Sequence, residues 1–256
     1  MVEEMSLSPS TRVASLRQLP DLAAGQVHVW KIWQETARFA DFTSLLSNEE
    51  MERASRLRTA ALFHRFAANH GMLRILLGSY LGMDPRRLQF AANPYGKPSL
   101  REMGLHLRFN MTHSDDLTLI AVCLQSEVGI DVETVRPVEE WEEIAKSHFS
   151  DDEYRCLLAE PMQPADLQRD AFFRCWTRKE AVIKAIGMGL SMPLSSFTVS
   201  TTQEAALLHC AWNETAASQW TLEHLEPAPG FVGALAMEGT EWSIQQFDCP
   251  ESLWSL

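Results

Sequence analysis

The sequence is poor in paired cysteines, in long apolar runs and in positive charge. Its five cysteines, at positions 123, 156, 175, 210 and 249, are odd in number and show no CxxC spacing. That argues against a disulfide framework and against a cysteine-based zinc site, and fits a reducing, cytoplasmic setting. No apolar run reaches the roughly 18 residues needed to cross a bilayer. The first residues, Met1-Val-Glu-Glu, lack the basic and apolar regions of a secretory signal. Asp and Glu number 34 against 22 Lys and Arg, a net charge of −12, which speaks against broad electrostatic binding to nucleic acid. What remains is a chain of 256 residues, 46% hydrophobic and 22% charged, the balance of a soluble globular protein with one large core or two small ones. Against this acidic background Arg53, Arg56, Arg58 and Arg65 cluster in one short segment.

Hydrophobic patterning divides the chain into two halves, residues 1–126 and 127–256, each expected to be α+β. Residues 1–25 are weakly patterned and read as an arm. Val27–Ile32 reads as a strand, Ser47-Asn-Glu-Glu50 as a capping box, and the segment from there to about Leu81 as helical with an interruption. Asn93–Pro98 is a turn by composition. Leu105–Asn110 and Leu117–Leu124 read as a strand pair split by the polar Thr112–Asp116. The second half repeats this order: a strand at Val128–Glu133, a capping box at Ser150-Asp-Asp-Glu153, a helix over about 165–186 closed by Gly187, and antiparallel strands at Phe197–Ser200, Ala206–Trp212, Gln219–Leu225 and Phe231–Met237. The two capping boxes lie 103 residues apart. A repeat of this kind predicts two similar halves about a pseudo-twofold axis, with the ligand site in the cleft between them.

Two segments carry chemistry. In Gly129-Ile-Asp-Val-Glu133, strand alternation puts Ile130 and Val132 on one face and Asp131 and Glu133 on the other. Adjacent carboxylates repel unless a cation lies between them, and Mg²⁺ accepts a few carboxylates together with phosphate oxygens; a solvated strand face is the plainer alternative. On the predicted helix, Trp176, Lys179, Glu180, Ile183 and Lys184 share helical spacing, with Phe172 and Phe173 as apolar anchors. Glu180 could join Asp131 and Glu133 on a metal and Lys184 could reach a phosphate, or Glu180 and Lys184 could be an ordinary surface ion pair. Thr112-His113-Ser114 offers hydroxyls and an imidazole suited to phosphate oxygens.

Taken in order, His64-Arg65, Tyr95-Gly-Lys-Pro98, Phe109-Asn-Met-Thr-His-Ser114, Gly129-Ile-Asp-Val-Glu133, Phe149-Ser with Glu153, Trp176-x-x-Lys-Glu-Ala with Lys184, and Gly187-x-Gly-Leu-Ser-x-Pro193 resemble the 4′-phosphopantetheinyl transferases of the Sfp type. The resemblance runs from Arg53 to about Leu194. It implies a pseudo-dimer within one chain: two α+β halves, each a small antiparallel sheet packed against a long helix, acting as a monomer. The first half would contact coenzyme A and the second would carry the metal site.

The resemblance also implies an activity, a Mg²⁺-dependent holo-[acyl-carrier-protein] synthase, with Mn²⁺ as the alternative ion. Such an enzyme moves 4′-phosphopantetheine from coenzyme A to a serine of an apo acyl or peptidyl carrier protein and releases 3′,5′-ADP. Asp131, Glu133 and Glu180 would hold the metal. Lys184 would stabilise or protonate the leaving phosphate, and Glu180, or a metal-bound water it positions, would take the serine proton. Glu153 would be a second acidic group near the metal and Lys179 a second phosphate contact. Tyr95, Gly96, Lys97 and Pro98 would surround the adenine. Arg53, Arg65, Thr112 and His113 would lie near the 3′-phosphate and pyrophosphate. The family often has a base at the position of Glu50, so the 3′-phosphate clamp is expected to be weaker or to use Arg56. A non-catalytic coenzyme A- or carrier-binding homologue is the alternative. A metal-dependent phosphohydrolase would use the same carboxylates but leaves Tyr95–Pro98 without a role.

Overall fold

The computed structural model describes residues 19–34, 41–101, 106–159, 165–212 and 215–253. Most of the arm expected at residues 1–25 and the start of the Leu105–Asn110 strand lie outside them.

Three apolar clusters order the molecule into layers. β1 (Gln26–Trp33), β4 (Leu107–Ser114), β5 (Leu117–Leu124) and β11 (Ser243–Asp248) form one sheet in the order β11-β1-β5-β4. β6 (Val128–Thr134), β9 (Trp220–Leu225) and β10 (Phe231–Glu238) form a second, in the order β6-β10-β9. The short pairs β2 (Phe90–Ala92) with β3 (Pro98–Leu100) and β7 (Phe197–Val199) with β8 (Leu207–Cys210) stand apart. β5 is apolar almost throughout because both its faces are covered. Ile120 and Val122 pack toward helix α2 (Ala60–Leu81), while Leu117, Leu119, Ala121 and Cys123 pack against Val128, Ile130 and Val132 of β6. On the far face of the second sheet, Val232, Ala234 and Ala236 of β10 meet helix α5 (Ala165–Ile186) through Phe172, Ala181, Val182 and Ala185. The layers therefore run helix, sheet, sheet, helix, an α+β architecture.

Both expected capping boxes are present. Ser47 accepts from Glu50 N–H at 3.2 Å and Glu50 reaches back to Ser47 N–H at 2.8 Å, opening α1 (Asn48–Ser55). Ser150 and Glu153 repeat this at 3.3 and 2.7 Å, opening α4 (Asp151–Ala159) after α3 (Trp141–His148). In each half the boxed glutamate then takes a buried cation from the long helix. Arg74 Nε donates to Glu50 at 2.8 Å, and its Nη1 donates to the carbonyls of Pro85 and Leu88. Lys179 Nζ lies 2.8 Å from Glu153 and donates to the carbonyls of Leu194 and Phe197, each at 2.7 Å. Each cation also faces an aromatic ring, Phe90 and Phe197 respectively. The same kind of latch thus occurs once in each half of the sequence.

Three expectations need correction. Thr112, His113 and Ser114 do not break the first hairpin: β4 continues through Ser114 and the turn is confined to Asp115-Asp116, where Asp115 takes φ 47°. The first sheet is not wholly antiparallel, because β11 pairs with β1 in parallel. For the same reason a division at residue 126 does not separate the sheets. β11 comes from the second half of the sequence and completes the sheet of the first.

Candidate active site

The site lies at the seam where two edge strands, β4 and β6, run side by side. No strand pairing joins them among the described residues; side chains of β4 bridge the gap at every second position. Asn110 Oδ1 accepts from Ile130 N–H at 2.9 Å, Thr112 Oγ1 donates to Asp131 Oδ1 at 3.1 Å, and Ser114 Oγ accepts from Thr134 N–H at 3.0 Å. Ser114 Oγ also lies 3.3 Å from Glu133 Oε2. The period of 2 along β4 fixes this alternation. The sequence motif gave no sign that Asn110 and Ser114 serve as braces.

Gly129 brings the helix to the strand. A Cβ at this position would stand 2.0 Å from Ala181 O and 2.4 Å from Ala185 N, so α5 rests directly on the backbone of β6. Asp131 and Glu133 share that face of β6, and the helix presents Glu180 and Lys184 to them. Gly129→Ala must force the two elements apart. It is expected to cost about 1–3 kcal/mol of stability by overpacking and to lower turnover at least about tenfold by moving Asp131 relative to Glu180. Denaturant unfolding and steady-state kinetics of the same preparation check both.

Lys184 Nζ donates to Asp131 Oδ1 at 2.6 Å, to Ile130 O at 3.2 Å and to Thr112 Oγ1 at 3.3 Å. Its partner is therefore Asp131 on β6, not Glu180 one turn away. Asp131 is 5% exposed, and among the described residues its Oδ2 has no hydrogen-bond partner. Burial raises the Asp131 carboxyl above its ordinary range, opposed by Lys184 and Thr112. Glu180 is raised first by burial and then by Asp131 and Glu133, with Lys184 opposing. Burial and the neighbouring Asp131 raise Glu133. This is an acidic group short of positive charge. Among the described residues no three His, Cys, Asp or Glu side chains are drawn tightly enough together to hold a metal ion as they stand. The three acids are near enough to raise one another's pKa. The orphaned Oδ2 and the shortage of cations nevertheless fit a divalent, oxygen-seeking ion.

On the first-half side a cavity of about 640 Å³ continues from this seam. Arg53, Gly96 and Pro98 line it, as do Arg101, Phe109 and Asn110. Arg53 also places its guanidinium over the Phe66 ring. Arg101 carried no motif that would have singled it out. Tyr95 is exposed beside the cavity. Lys97 is engaged elsewhere: its Nζ donates to Ala185 O at 2.9 Å, Val128 O at 3.2 Å and Glu127 at 2.5 Å, tying the 93–97 turn to the end of α5. Asn93 Nδ2 adds a bond to Gly187 O at 2.7 Å, where Gly187 takes φ 79° to close the helix. His113 is exposed at its surface, yet desolvation by the atoms packed around its ring, and then the charges of Arg65 and Lys184, hold it below its ordinary pKa. Arg65 itself faces Asp116 at 3.7 Å.

Glu153 and Lys179 are not part of this group. Both side chains are fully buried and bonded to each other; Glu153 also accepts from Val199 N–H at 2.6 Å. The expected second acid near the metal and second phosphate contact are instead a structural pair. Their donors and acceptors are already used, and neither side chain is exposed to solvent. Glu50 is likewise engaged in structure, by the Ser47 amide and Arg74. Arg56 pairs with Glu52 on the exposed face of α1.

Residues 127–238 match the model of the 4′-phosphopantetheinyl transferase superfamily. The 4′-phosphopantetheinyl transferase HetI of Nostoc sp. is 35% identical over 225 residues, covering 86% of this chain and 91% of that protein. The chain belongs to the 4′-phosphopantetheinyl transferase family. Within this transferase family, the Sfp protein of Bacillus subtilis is 34% identical over 163 residues, 64% of this chain and 70% of its own. AcpT of Salmonella typhi is 37% identical over 114 residues, 44% of this chain and 56% of its own. The superfamily match begins at Glu127, one residue before β6, so it spans the strand and helix that carry Asp131, Glu133, Glu180 and Lys184. Among the described residues no helix is long and apolar enough to cross a membrane.

Proposed function

We propose that this protein transfers the 4′-phosphopantetheine group of coenzyme A to a serine hydroxyl of an apo acyl or peptidyl carrier protein, with Mg²⁺ as cofactor and 3′,5′-ADP as product. The observation that carries the reading is Asp131: buried at the seam, held by Lys184 through one oxygen, with the other oxygen unpartnered among the described residues, and close enough to Glu133 and Glu180 to raise their pKa values. Asp131, Glu133 and Glu180 would hold the ion, which when bound supplies positive charge against the pyrophosphate.

The remaining steps belong to the chain's own side chains. The cavity lined by Arg53, Gly96 and Pro98 receives the adenosine end of coenzyme A, and the cationic Arg53 and Arg101 suit its 3′-phosphate. Thr112, beside Lys184, and His113, the next residue of β4, would lie near the pyrophosphate. The serine oxygen forms a bond to the β-phosphorus as the bridging P–O bond breaks, and 3′,5′-ADP leaves with the electron pair. Lys184 meets the charge that develops on the leaving phosphate. Glu180, or a water that it positions, takes the serine proton.

Incubation of the protein with coenzyme A, Mg²⁺ and a panel of apo carrier proteins, followed by intact-mass spectrometry, tests the reading. A mass gain equal to the phosphopantetheine arm, suppressed by a chelator, is expected on at least one carrier. No gain on fatty-acid, polyketide or non-ribosomal peptide carriers would leave the non-catalytic homologue as the better description.

A further inference from the structure

α5 is held from three directions within two turns. Ala181 and Ala185 rest on Gly129 of β6. Arg178, fully buried, donates to the carbonyls of Ser200, Thr202 and Gln203 at 2.7 to 3.0 Å. Lys179, also fully buried, reaches the opposite way to Glu153 at the start of α4 and to Leu194 and Phe197 beyond the helix end. Glu180 is the next residue, turned about 100° from Lys179 around the axis. A carboxyl on such a side chain lies roughly 5–6 Å from the axis, so a rotation of about 20° carries it about 2 Å sideways. That is an entire Mg–O bond length, where oxygen ligands are held near 2.0–2.1 Å.

We infer that Lys179 is a positioning residue: by bonding to Glu153, Leu194 and Phe197 it fixes the rotation of α5 that aims Glu180 at Asp131 and Glu133. The inference rests on the assignment of Glu180 to the cation. Lys179 touches neither substrate nor metal; it acts through the setting of the helix. Glu153, braced by Ser150 N–H and Val199 N–H, is the fixed end of the tether. Partners that orient a metal ligand in this way typically change metal affinity 10- to 100-fold when lost.

The test measures Mg²⁺ binding directly, by isothermal titration calorimetry on the full chain well below its melting temperature, alongside KM for coenzyme A. Lys179→Met leaves Glu153 buried and unpaired, so the charge-neutral double variant Glu153→Gln/Lys179→Met is measured with it and decides the matter if the single variant does not fold. The double variant is expected to regain most of the melting temperature, to bind Mg²⁺ about tenfold more weakly than the native protein, and to keep KM for coenzyme A within about twofold. Lys179→Arg, which retains a cation, is expected to bind Mg²⁺ more tightly than Lys179→Met. Native Mg²⁺ affinity in a folded double variant overturns the inference. So does unchanged Mg²⁺ affinity with a raised KM for coenzyme A, which would return Lys179 to direct phosphate contact. Absence of Mg²⁺ binding in the native protein would instead withdraw the metal assignment itself, and the inference with it.

Discussion

Asp131→Ala should reduce pantetheinyl transfer by about 10³-fold or more, the scale of losing a preorganised charge-stabilising group in a water-poor site, while the protein still folds. The expectation of intact folding comes from the electrostatics. Burial raises the Asp131 carboxyl above its ordinary value, so between the unfolded and folded pKa the native state binds more protons than the unfolded state. Stability from this group is therefore fullest at acid pH and falls as pH rises through that interval. Glu133 and Glu180 are shifted in the same direction. In a chelator, the native protein should thus lose stability as pH climbs above about 4, and the loss should be smaller in Asp131→Asn, which keeps a partner for Thr112. Melting temperatures across pH in a chelator, with turnover in Mg²⁺, read both effects. Retained turnover in Asp131→Ala would refute the metal assignment.

Arg74→Met should be the most damaging single change to stability, at about 3–5 kcal/mol, because it strands a buried carboxylate. Burial alone would raise the Glu50 carboxyl. Hydrogen bonds from His70, the Ser47 amide and Arg74, with the Arg74 charge, outweigh it and hold the group at about 2. A depressed carboxyl stabilises the fold above its unfolded pKa, and that stabilisation, roughly 3 kcal/mol, is lost as pH falls from about 4.5 toward about 2. Urea unfolding of the native protein should show this acid-side decline. In Arg74→Met the decline should flatten, because Glu50 is no longer held so low, and the two curves should converge toward acid pH. A parallel decline in the variant would assign the depressed pKa to His70 and the capping amide alone.

The chemistry of the site was more legible in the sequence than its supports. Asp131 and Glu133 at i and i+2, with Glu180 and Lys184 at i and i+4, carried their facing in their spacing, because strand and helix periods fix which side chains share a face. Gly129 stood in the motif, and its reason, contact with Ala181 and Ala185, needed only the packing. Lys179 and Lys184 show the limit. Both sit on the same helix and look alike in sequence, yet one is wholly buried and the other faces the seam. What decides between them is Glu153, a residue 26 positions upstream whose capping box was recognised but whose second bond was not. The partner of β1 was equally hidden: strand pairing over more than 200 residues leaves no local pattern, and β11, with no fully buried residue, carries little apolar signal of its own.

That last pairing gives the chain an order of assembly. β1 lies between β5 and β11, so a growing chain that has already made both β1 and β5 still lacks one side of its first sheet. Asp131, Glu133, Glu180 and Lys184, with the strand β10 behind them, are all synthesised before β11 is. The half that comes first from the ribosome is therefore the half completed later, and its exposed strand edge waits through the synthesis of the whole second half.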